Sequence, residues 1–224
     1  MSIVEYSMSV SLMFQILSGM AGVKGSFMTV PAEHQPLVDI LRLETGVQFV
    51  EAAFYAWALK SAIELKTLAS RRYMDWVLTT PTMLVSTIMF MKYLEGENNI
   101  KKYKKEIIEI LIYNLGMLIF GYLGETGTIS KTLSISLGFA CFAKSFHLIY
   151  KHFGSKTEKG KKLFTFLLVV WGLYGVAAMA PTIQKNVSYN MLDIIAKNFY
   201  GIYIYYKVHE VHDKSTLQTR SYNK

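Results

Sequence analysis

Long apolar stretches separated by short polar segments recur along the chain. Seven of them are long enough to cross about 30 Å of hydrocarbon at about 1.5 Å per residue, and we place them near residues 4–24, 37–60, 71–92, 105–123, 128–150, 163–183 and 186–207. The segments between them leave no room for a second domain. The pattern therefore predicts an all-α membrane protein, with a bundle of seven transmembrane helices over residues 1–208 and a polar tail over residues 209–224.

The composition agrees with this class. Of the 224 residues, 52% are hydrophobic and only 18% are charged, which is low for a soluble domain. The single cysteine, Cys141, lies inside the fifth stretch, so no intrachain disulfide and no cysteine-based metal site are expected. We predict an integral, multi-pass membrane protein without a metal centre.

The net charge of +8 raises the question of a nucleic-acid partner, which the positions of the charges answer. If the amino terminus lies outside, most lysines and arginines fall on the inner loops, their flanks and the tail, as in the run Lys101, Lys102, Lys104 and Lys105. This asymmetry follows the positive-inside rule. It predicts an outer amino terminus, a cytoplasmic carboxyl terminus and a lipid membrane, rather than nucleic acid, as the partner.

Two charged residues interrupt the last apolar stretch. Lys197 lies near its middle and Asp193 one helical turn earlier, so both side chains share a helix face. An ammonium group at bilayer mid-depth costs at least about 2.5–3.5 kcal/mol, which makes such a charge a functional hypothesis by default. Two interpretations stay open at this point: a neutralised pair that holds helices together, or a lysine that binds an aldehyde as a Schiff base.

The third stretch supplies the surroundings that a buried cation needs. Asp75 is a second carboxylate at membrane depth, Thr79 lies one turn later, where its hydroxyl can donate to that carboxylate, and Arg72 lies about one turn earlier. Pro81 should bend the helix beside them. A protonated Schiff base requires such counter-charge to stay charged in an apolar environment.

Two separated motifs now coincide. Arg-Tyr-x-Asp-Trp-x-x-Thr-Thr-Pro at residues 72–81 and Asp-x-x-x-Lys at residues 193–197 together resemble the microbial (type 1) rhodopsin family, and the resemblance covers essentially the whole chain. It implies that Lys197 binds all-trans retinal as a protonated Schiff base. The implied counterion complex comprises Asp75, Asp193, Arg72 and Thr79. Two tryptophans would sandwich the polyene in a pocket lined by Trp76, Thr80, Met83, Met117, Gly121, Trp171 and Tyr174.

Three positions in the implied pocket bear on its shape and colour. Gly175 and Ala178 stand where many members of the family have proline and tryptophan, which leaves the pocket shape near the ring end open. Met83 occupies a position that resembles the family's colour switch. Because its side chain is apolar, we expect green rather than blue absorption.

An outward proton pump of this family needs a carboxylic acid eleven residues after the counterion, about 16 Å nearer the cytoplasm on the same helix face. This chain has Ser86 there, and a hydroxyl does not supply a proton at neutral pH as such a carboxyl does. The outer loop, residues 181–190, also lacks an acid for proton release. Efficient pumping is therefore disfavoured, although a weak pump that uses water or another acid, such as Glu109, stays an alternative.

The second stretch is unusually acidic. Glu44 and Glu51 lie nearly two turns apart on one stripe, with Glu51 near mid-depth. The first stretch offers Ser11, with Ser9 as a rival, and the seventh offers Asn198. Helices one, two and seven are neighbours in a seven-helix ring, so these groups would line a water-filled path that favours cations. The alternative is that both glutamates are hydrogen-bonded structural acids in a closed bundle.

The same residues resemble the central constriction of channelrhodopsins, where a serine, a glutamate and a Lys-Asn dipeptide meet. Ser11, Glu51 and Asn198 match that pattern, whereas Thr80 and Asn114 replace the cysteine and aspartate that control gating in several algal channels. The small size is similar to that of the channel-forming rhodopsins of algae-infecting giant viruses, the first viral group. If the protein is viral, its location would be a host cell membrane.

We therefore predict a light-gated cation channel, not an enzyme, whose ion path includes Ser11, Glu44, Glu51 and Asn198. The expected permeant ions are monovalent cations, with calcium or protons as further candidates, and a homo-oligomer is left open. Two alternatives are retained: a weak outward light-driven proton pump, and a photosensor that signals through a membrane partner.

Overall fold

The computed structural model describes residues 1–61 and 64–222, with side chains through residue 218. Seven long helices follow one another in this part of the chain: α1 (Ile3–Ser26), α2 (Gln35–Lys60), α3 (Leu65–Leu94), α4 (Lys104–Glu125), α5 (Lys131–Ile149), α6 (Glu158–Ala177) and α7, which comprises Thr182–Asp193, the π-helical segment Ile194–Asn198 and Phe199–Tyr222. Short 3-10 segments, Ala32–His34 and Ile100–Tyr103, precede α2 and α4, and a π-helical turn, Tyr150–Gly154, extends α5. The predicted all-α, seven-helix fold is confirmed.

Local chemistry explains several helix boundaries. Ser2 forms a capping box at the start of α1, and the hydroxyls of Ser130 and Thr157 cap α5 and α6. The sixth helix ends at Ala177 and not near residue 183, as the hydropathy pattern predicted. Pro181 lies between α6 and α7 and is the N-cap residue of α7. Proline has no main-chain N–H with which to continue the preceding helix.

Five helices of the described residues, α1, α3, α4, α5 and α6, are each long and apolar enough to cross a membrane. The other two, α2 and α7, carry acidic, basic and amide side chains in their middle turns. The charged ones, Glu44, Glu51, Asp193 and Lys197, are at most 2% exposed. The bundle therefore directs the polar groups of α2 and α7 inward, away from the apolar outer surface.

Apolar clusters surround this polar interior. The largest packs α3, α4, α5, α6 and α7 together around Trp76, Phe142 and Trp171. A second cluster joins α2 to the later part of α7 through Leu41 and Ile204. The polar interior thus lies mainly between α1, α2, α3 and α7, while the opposite half of the bundle is an apolar core.

The last helix continues beyond residue 208, where the sequence predicted the start of a tail. It remains helical to Tyr222, and Lys207 and Lys214 donate to Glu210 at 2.8 and 2.7 Å. Because both lysines stabilise its charged form, the pKa of the Glu210 carboxyl is lowered to about 2. The predicted boundary between domain and tail falls inside a continuous helix, and residues 223 and 224 of that tail lie outside the described residues.

Candidate functional site

The ammonium group of Lys197 lies among three carboxylates from three helices. Glu51 of α2 forms an ion pair with Lys197 Nζ, and Asp75 Oδ2 and Asp193 Oδ1 lie 3.5 and 3.3 Å from it. All four side chains are buried. The sequence assigned Glu51 to an ion path, whereas the structure places it directly against the lysine.

The backbone at the lysine departs from regular α-helix. Residues Ile194–Asn198 form a π-helical segment, which adds a residue to one turn. Such segments occur frequently at functional sites. The main-chain carbonyl of Lys197 accepts a hydrogen bond from Gln48 Nε2 at 3.1 Å. A side chain of α2 therefore satisfies a carbonyl of α7 at the site itself.

Asp193 is held by donors from three other helices. The hydroxyl of Tyr55 donates to its Oδ2 at 2.5 Å, that of Tyr174 donates to its Oδ1 at 2.7 Å, and Arg72 Nη1 lies 3.2 Å from Oδ2. Arg72 also donates to Asn190 Oδ1. These bonds satisfy both oxygens of a fully buried carboxylate.

Sequence reasoning missed Tyr55 and Asn190. Tyr55 lies one turn after Glu51, and Asn190 nearly one turn before Asp193, so each continues a polar stripe already marked by an acid. Asn190 Nδ2 also donates to Ser7 Oγ at 2.7 Å, which connects the Arg72 cluster to α1. The spacing of three or four residues from an acid could have identified both side chains. They were overlooked because a tyrosine and an asparagine carry no charge.

The Thr79 side chain lies close enough to the Asp75 carboxylate to interact with it, and it also bonds to the backbone of Asp75. The Thr79 hydroxyl donates to the main-chain carbonyl of Asp75 at 3.1 Å, because a helical threonine readily reaches the carbonyl one turn earlier. Thr80 does the same to Trp76 at 2.8 Å. Asn114 Nδ2 donates to Thr80 Oγ1 at 2.9 Å, so the two residues that replace the algal gating pair bond to each other.

A cavity of about 340 Å³ extends from Lys197 between α3, α4, α5, α6 and α7. Its lining includes all seven residues of the implied pocket, Trp76, Thr80, Met83, Met117, Gly121, Trp171 and Tyr174. The buried indole nitrogens of both tryptophans make no hydrogen bond within the described residues. The lining also includes four charged side chains besides Lys197, namely Lys66, Glu125, Lys131 and Lys185. The aromatic and apolar wall next to the buried Lys197 amine fits a long apolar aldehyde.

The shape of this cavity depends on Gly175. A β-carbon at this position would lie 2.4 Å from Phe139 Cζ, so the ring of α5 approaches α6 only because the residue is glycine. Phe139 and Ala178 both line the cavity beside it. An aromatic side chain of α5 thus shapes the region that the departures at Gly175 and Ala178 left open.

The serines of α1 differ in burial. Ser11 is fully buried beside the Tyr55 hydroxyl. Ser9, its rival, is partly exposed and donates to the Glu5 carbonyl at 2.9 Å. Ser11 therefore faces the polar interior. The likeness to the channelrhodopsin constriction implied that Ser11 and Asn198 meet, but within the described residues no hydrogen bond joins Ser11 to the side chains around Asn198.

Asn198 instead bonds to three residues that sequence reasoning overlooked. Its Nδ2 lies 3.0 Å from Gln15 Oε1, 2.6 Å from Ser18 Oγ and 2.6 Å from Gln48 Oε1. Gln15 and Ser18 continue the stripe that Ser11 begins, at steps of four and three residues. That spacing on a single helix face was a usable signal.

Glu44 does not lie at an open mouth. It is fully buried, and the Ser86 hydroxyl of α3 donates to its Oε1. The serine at the expected donor position thus contacts an acid from a different helix. Glu109, the other acid considered for this role, is exposed on α4.

Comparisons with known proteins agree with this geometry. Residues 6–211 match the family of bacteriorhodopsin-like proteins. The chain belongs to this family, the microbial rhodopsins. It is 23% identical to green-light absorbing proteorhodopsin of Gamma-proteobacterium EBAC31A08 over 201 residues, which cover 79% of this chain and 75% of the relative. It is 28% identical to Opsin-1 of Neurospora crassa over 151 residues, 59% of this chain, and this match spans only 47% of the opsin.

Solved structures show the same fold. The crystal structure of viral rhodopsin OLPVRII superposes with a TM-score of 0.87 at 30% identity, covering 94% of this chain and 99% of that one. The blue light-absorbing proteorhodopsin from Med12 superposes with a TM-score of 0.73 at 19% identity, covering 96% and 99%. The protein is therefore a light-driven, multi-pass integral membrane protein of a family that carries retinal on a lysine.

The role of Gly175 in this rhodopsin can be tested by Gly175→Ala. The added methyl group must displace Phe139, and such overpacking costs about 1–3 kcal/mol, so we expect the pigment to lose its visible band at lower temperature. Gly172→Ala is the matched control on α6, because its β-carbon would meet only Phe142, at an ordinary 3.9 Å. Equal thermal bleaching of the two variants would show that the Phe139 contact does not constrain the pocket.

Proposed function

We propose that this rhodopsin is a light-gated cation channel that holds retinal on Lys197. The bound chromophore would supply absorption of visible light and a change of shape within the cavity. One observation carries the proposal: Glu51, a fully buried acid in the middle of α2, pairs with the same amine. Any displacement of the Lys197 amine therefore acts directly on an acid of the proposed ion path.

The proposed path is a polar column formed by one stripe on each of α1, α2 and α7. Its members are buried side chains with oxygen or nitrogen atoms at helical spacing: Ser7, Ser11, Gln15, Ser18, Glu44, Gln48, Glu51, Tyr55, Asn186, Asn190, Asp193, Lys197 and Asn198. Polar groups at membrane depth are costly and mark ion pathways, and acids among them favour cations. Monovalent cations are the proposed permeant ions.

The structure supports a closed resting state. Arg72 bonds to Tyr55, Asn190 and Asp193 and occupies the column on the side where α1 begins. On the other side of Lys197, a hydrogen bond from the Ser86 hydroxyl of α3 holds the Glu44 carboxylate inside the bundle. With the amino terminus outside, these contacts are an outer and an inner barrier, and conduction requires a population shift that separates both.

Glu51→Gln tests the proposal in voltage-clamped cells. In the wild type we expect a photocurrent that reverses with the cation gradient, and in the variant a current lower by roughly an order of magnitude, because the acid that attracts cations at mid-depth is lost. Asp39→Asn is the control, since Asp39 is an exposed acid on the same helix and should leave the current unchanged. Equal photocurrents in Glu51→Gln and the wild type would contradict the assignment of Glu51.

The weak outward proton pump is a second candidate, and one contact favours it. Glu44 lies against Ser86, so a carboxyl group stands beside the position where the pump pattern requires one. The current without a voltage or ion gradient separates the two functions: a pump leaves a steady outward current, and a channel leaves none. A photosensor would pass almost no current at any voltage.

A further inference from the structure

The cavity that begins at Lys197 has a second, charged end. Four charged side chains line it there, and we call them the charged rim: Lys66, Glu125, Lys131 and Lys185. They come from the starts of α3, α5 and α7 and from the last residue of α4, so the charged rim lies on the side of the bundle where α1 begins. Because Lys66 and Lys131 are exposed, the cavity reaches the protein surface at this end.

An ion pair crosses the charged rim. Lys185 Nζ donates to both carboxylate oxygens of Glu125, at 2.8 and 2.6 Å, and both side chains are only 12% exposed. The main packing partners of α4 are α3 and α5, whereas α7 packs mainly against α1, α2, α3 and α6. The pair therefore joins two helices across the cavity and not along a shared packing surface.

A second lysine contact lies at the same end. Lys131 Nζ donates to the main-chain carbonyl of Met179, in the connection between α6 and α7, at 3.1 Å. Lysine carries its charge on a flexible four-carbon stem. Both contacts can therefore separate by side-chain rotation, without the unfolding of a helix.

The charges of the rim are unequal in number. Glu125 is the one acid of the cavity lining within the described residues, and it stands beside three lysines. Like charges repel, so the lysines of the rim stay close together only while the carboxylate offsets them. Loss of the Glu125 charge should therefore favour a wider opening.

We propose that retinal reaches Lys197 through the charged rim, and that the Glu125–Lys185 ion pair is the latch that closes this entrance. Behind the rim, the aromatic and apolar wall receives the polyene and leads to the lysine. With the latch closed, the same pair shields the bound chromophore from water-soluble reagents. This inference rests on the proposed attachment of retinal to Lys197, and it does not depend on ion conduction.

Two rival interpretations make different predictions. In the first, the ion pair only braces α4 against α7, and its loss lowers stability without opening the cavity. In the second, retinal enters from the lipid between two helices. Between α5 and α6, however, the Phe139 ring packs against Gly175, which narrows that route.

Hydroxylamine measures access to the bound chromophore. It attacks the imine carbon and yields retinal oxime and the free lysine amine, so the visible band disappears. In darkness, well below the melting temperature, Glu125→Gln should bleach roughly tenfold faster than the wild type, a factor between those of an exposed and a fully buried ion pair. The exchanged pair, Glu125→Lys with Lys185→Glu, should return the rate to near that of the wild type.

Glu95→Gln is the matched control. It breaks the Lys92–Glu95 pair, whose side chains are 5% and 19% exposed, at the opposite end of the bundle, and it should bleach as slowly as the wild type. If Glu125→Gln bleached at the wild-type rate, or Glu95→Gln bleached as fast as Glu125→Gln, the latch would be refuted.

Uptake of retinal tests the entrance itself. After retinal is added to the apoprotein, the visible band should appear several-fold faster in Glu125→Gln than in the wild type or in Glu95→Gln, because the open form is more populated. Faster bleaching with unchanged uptake would show that the pair shields the chromophore but that retinal enters elsewhere, which would overturn the proposed entrance.

A measurement on the apoprotein separates this inference from the retinal assignment. With Cys141→Ala as background, Met117→Cys places one thiol inside the cavity. A water-soluble methanethiosulfonate reagent should modify it roughly tenfold faster when Glu125→Gln is added. If the wild type forms no pigment, the assignment of Lys197 fails and with it the entry of retinal, while the labelling rate still decides whether the pair closes the cavity. Equal labelling rates would refute the latch even if the pigment forms.

Discussion

Lys197→Ala is expected to leave the purified protein colourless after retinal is added. Alanine has no amine with which to bind an aldehyde, so the covalent attachment is lost entirely. The wild-type protein should form a visible band under the same conditions. The measurement is the absorption spectrum of purified protein after incubation with retinal, and a visible band in the variant would refute the assignment of the lysine.

Loss of colour must be distinguished from loss of folding, because the variant leaves Glu51, Asp75 and Asp193 without their shared cation. Circular dichroism should therefore show wild-type helix content before the spectrum is interpreted. Supplying retinal already joined to a short alkylamine should restore colour in Lys197→Ala, since it returns the cation to the vacated space. Lys144→Ala is the matched control: this lysine is exposed on α5, and its loss should leave the pigment intact.

Arg72→Leu is expected to cost about 3–5 kcal/mol of stability, because it removes one partner of a buried ion pair and leaves the other behind. The Arg72 and Asp193 side chains are both 0% exposed, and Arg72 also bonds to Tyr55 and Asn190. For a chain of this length, that loss corresponds to a fall of roughly 10 °C in the melting temperature. Thermal bleaching of the pigment, compared with the wild type, measures it.

A surface pair supplies the control for this effect. Arg42 and Asp39 form an ion pair at 3.1 Å, but their side chains are 56% and 47% exposed. Water and salt screen such a pair, so Arg42→Leu should change stability by at most about 1 kcal/mol. If both arginine variants melted at the same temperature, the buried cluster around Arg72 would not hold the helices together as the structure indicates.

The sequence was sufficient to predict the fold and the residues on which the retinal assignment rests. Stretches of apolar residues report membrane spans directly, because each must match the thickness of the same bilayer. The Asp193–Lys197 step and the 72–81 motif depend only on spacing within one helix, and the cavity lining includes every pocket residue that the resemblance implied. The end of the sixth helix was misplaced, since hydropathy does not register the break around Pro181.

Contacts between helices were far less predictable. The sequence did not reveal that Glu51 contacts Lys197 or that the Ser86 hydroxyl donates to the buried Glu44. Asn198 was matched to Ser11 and instead bonds to side chains of Gln15, Ser18 and Gln48. Each of these outcomes depends on the rotation and axial shift of one helix relative to another, which no pattern along a single helix contains.

The sequence by itself thus determined the class of protein, the seven spans and the presence of buried charge at the middle of α7. Only the tertiary structure decided which acid lies against the lysine and which amides surround Asn198. The π-helical segment Ile194–Asn198 illustrates the reason: it adds a residue to one turn and so changes the direction of the side chains on either side of it. Spacing along the chain predicts which residues share a face, but the partner of that face follows from how the helices pack.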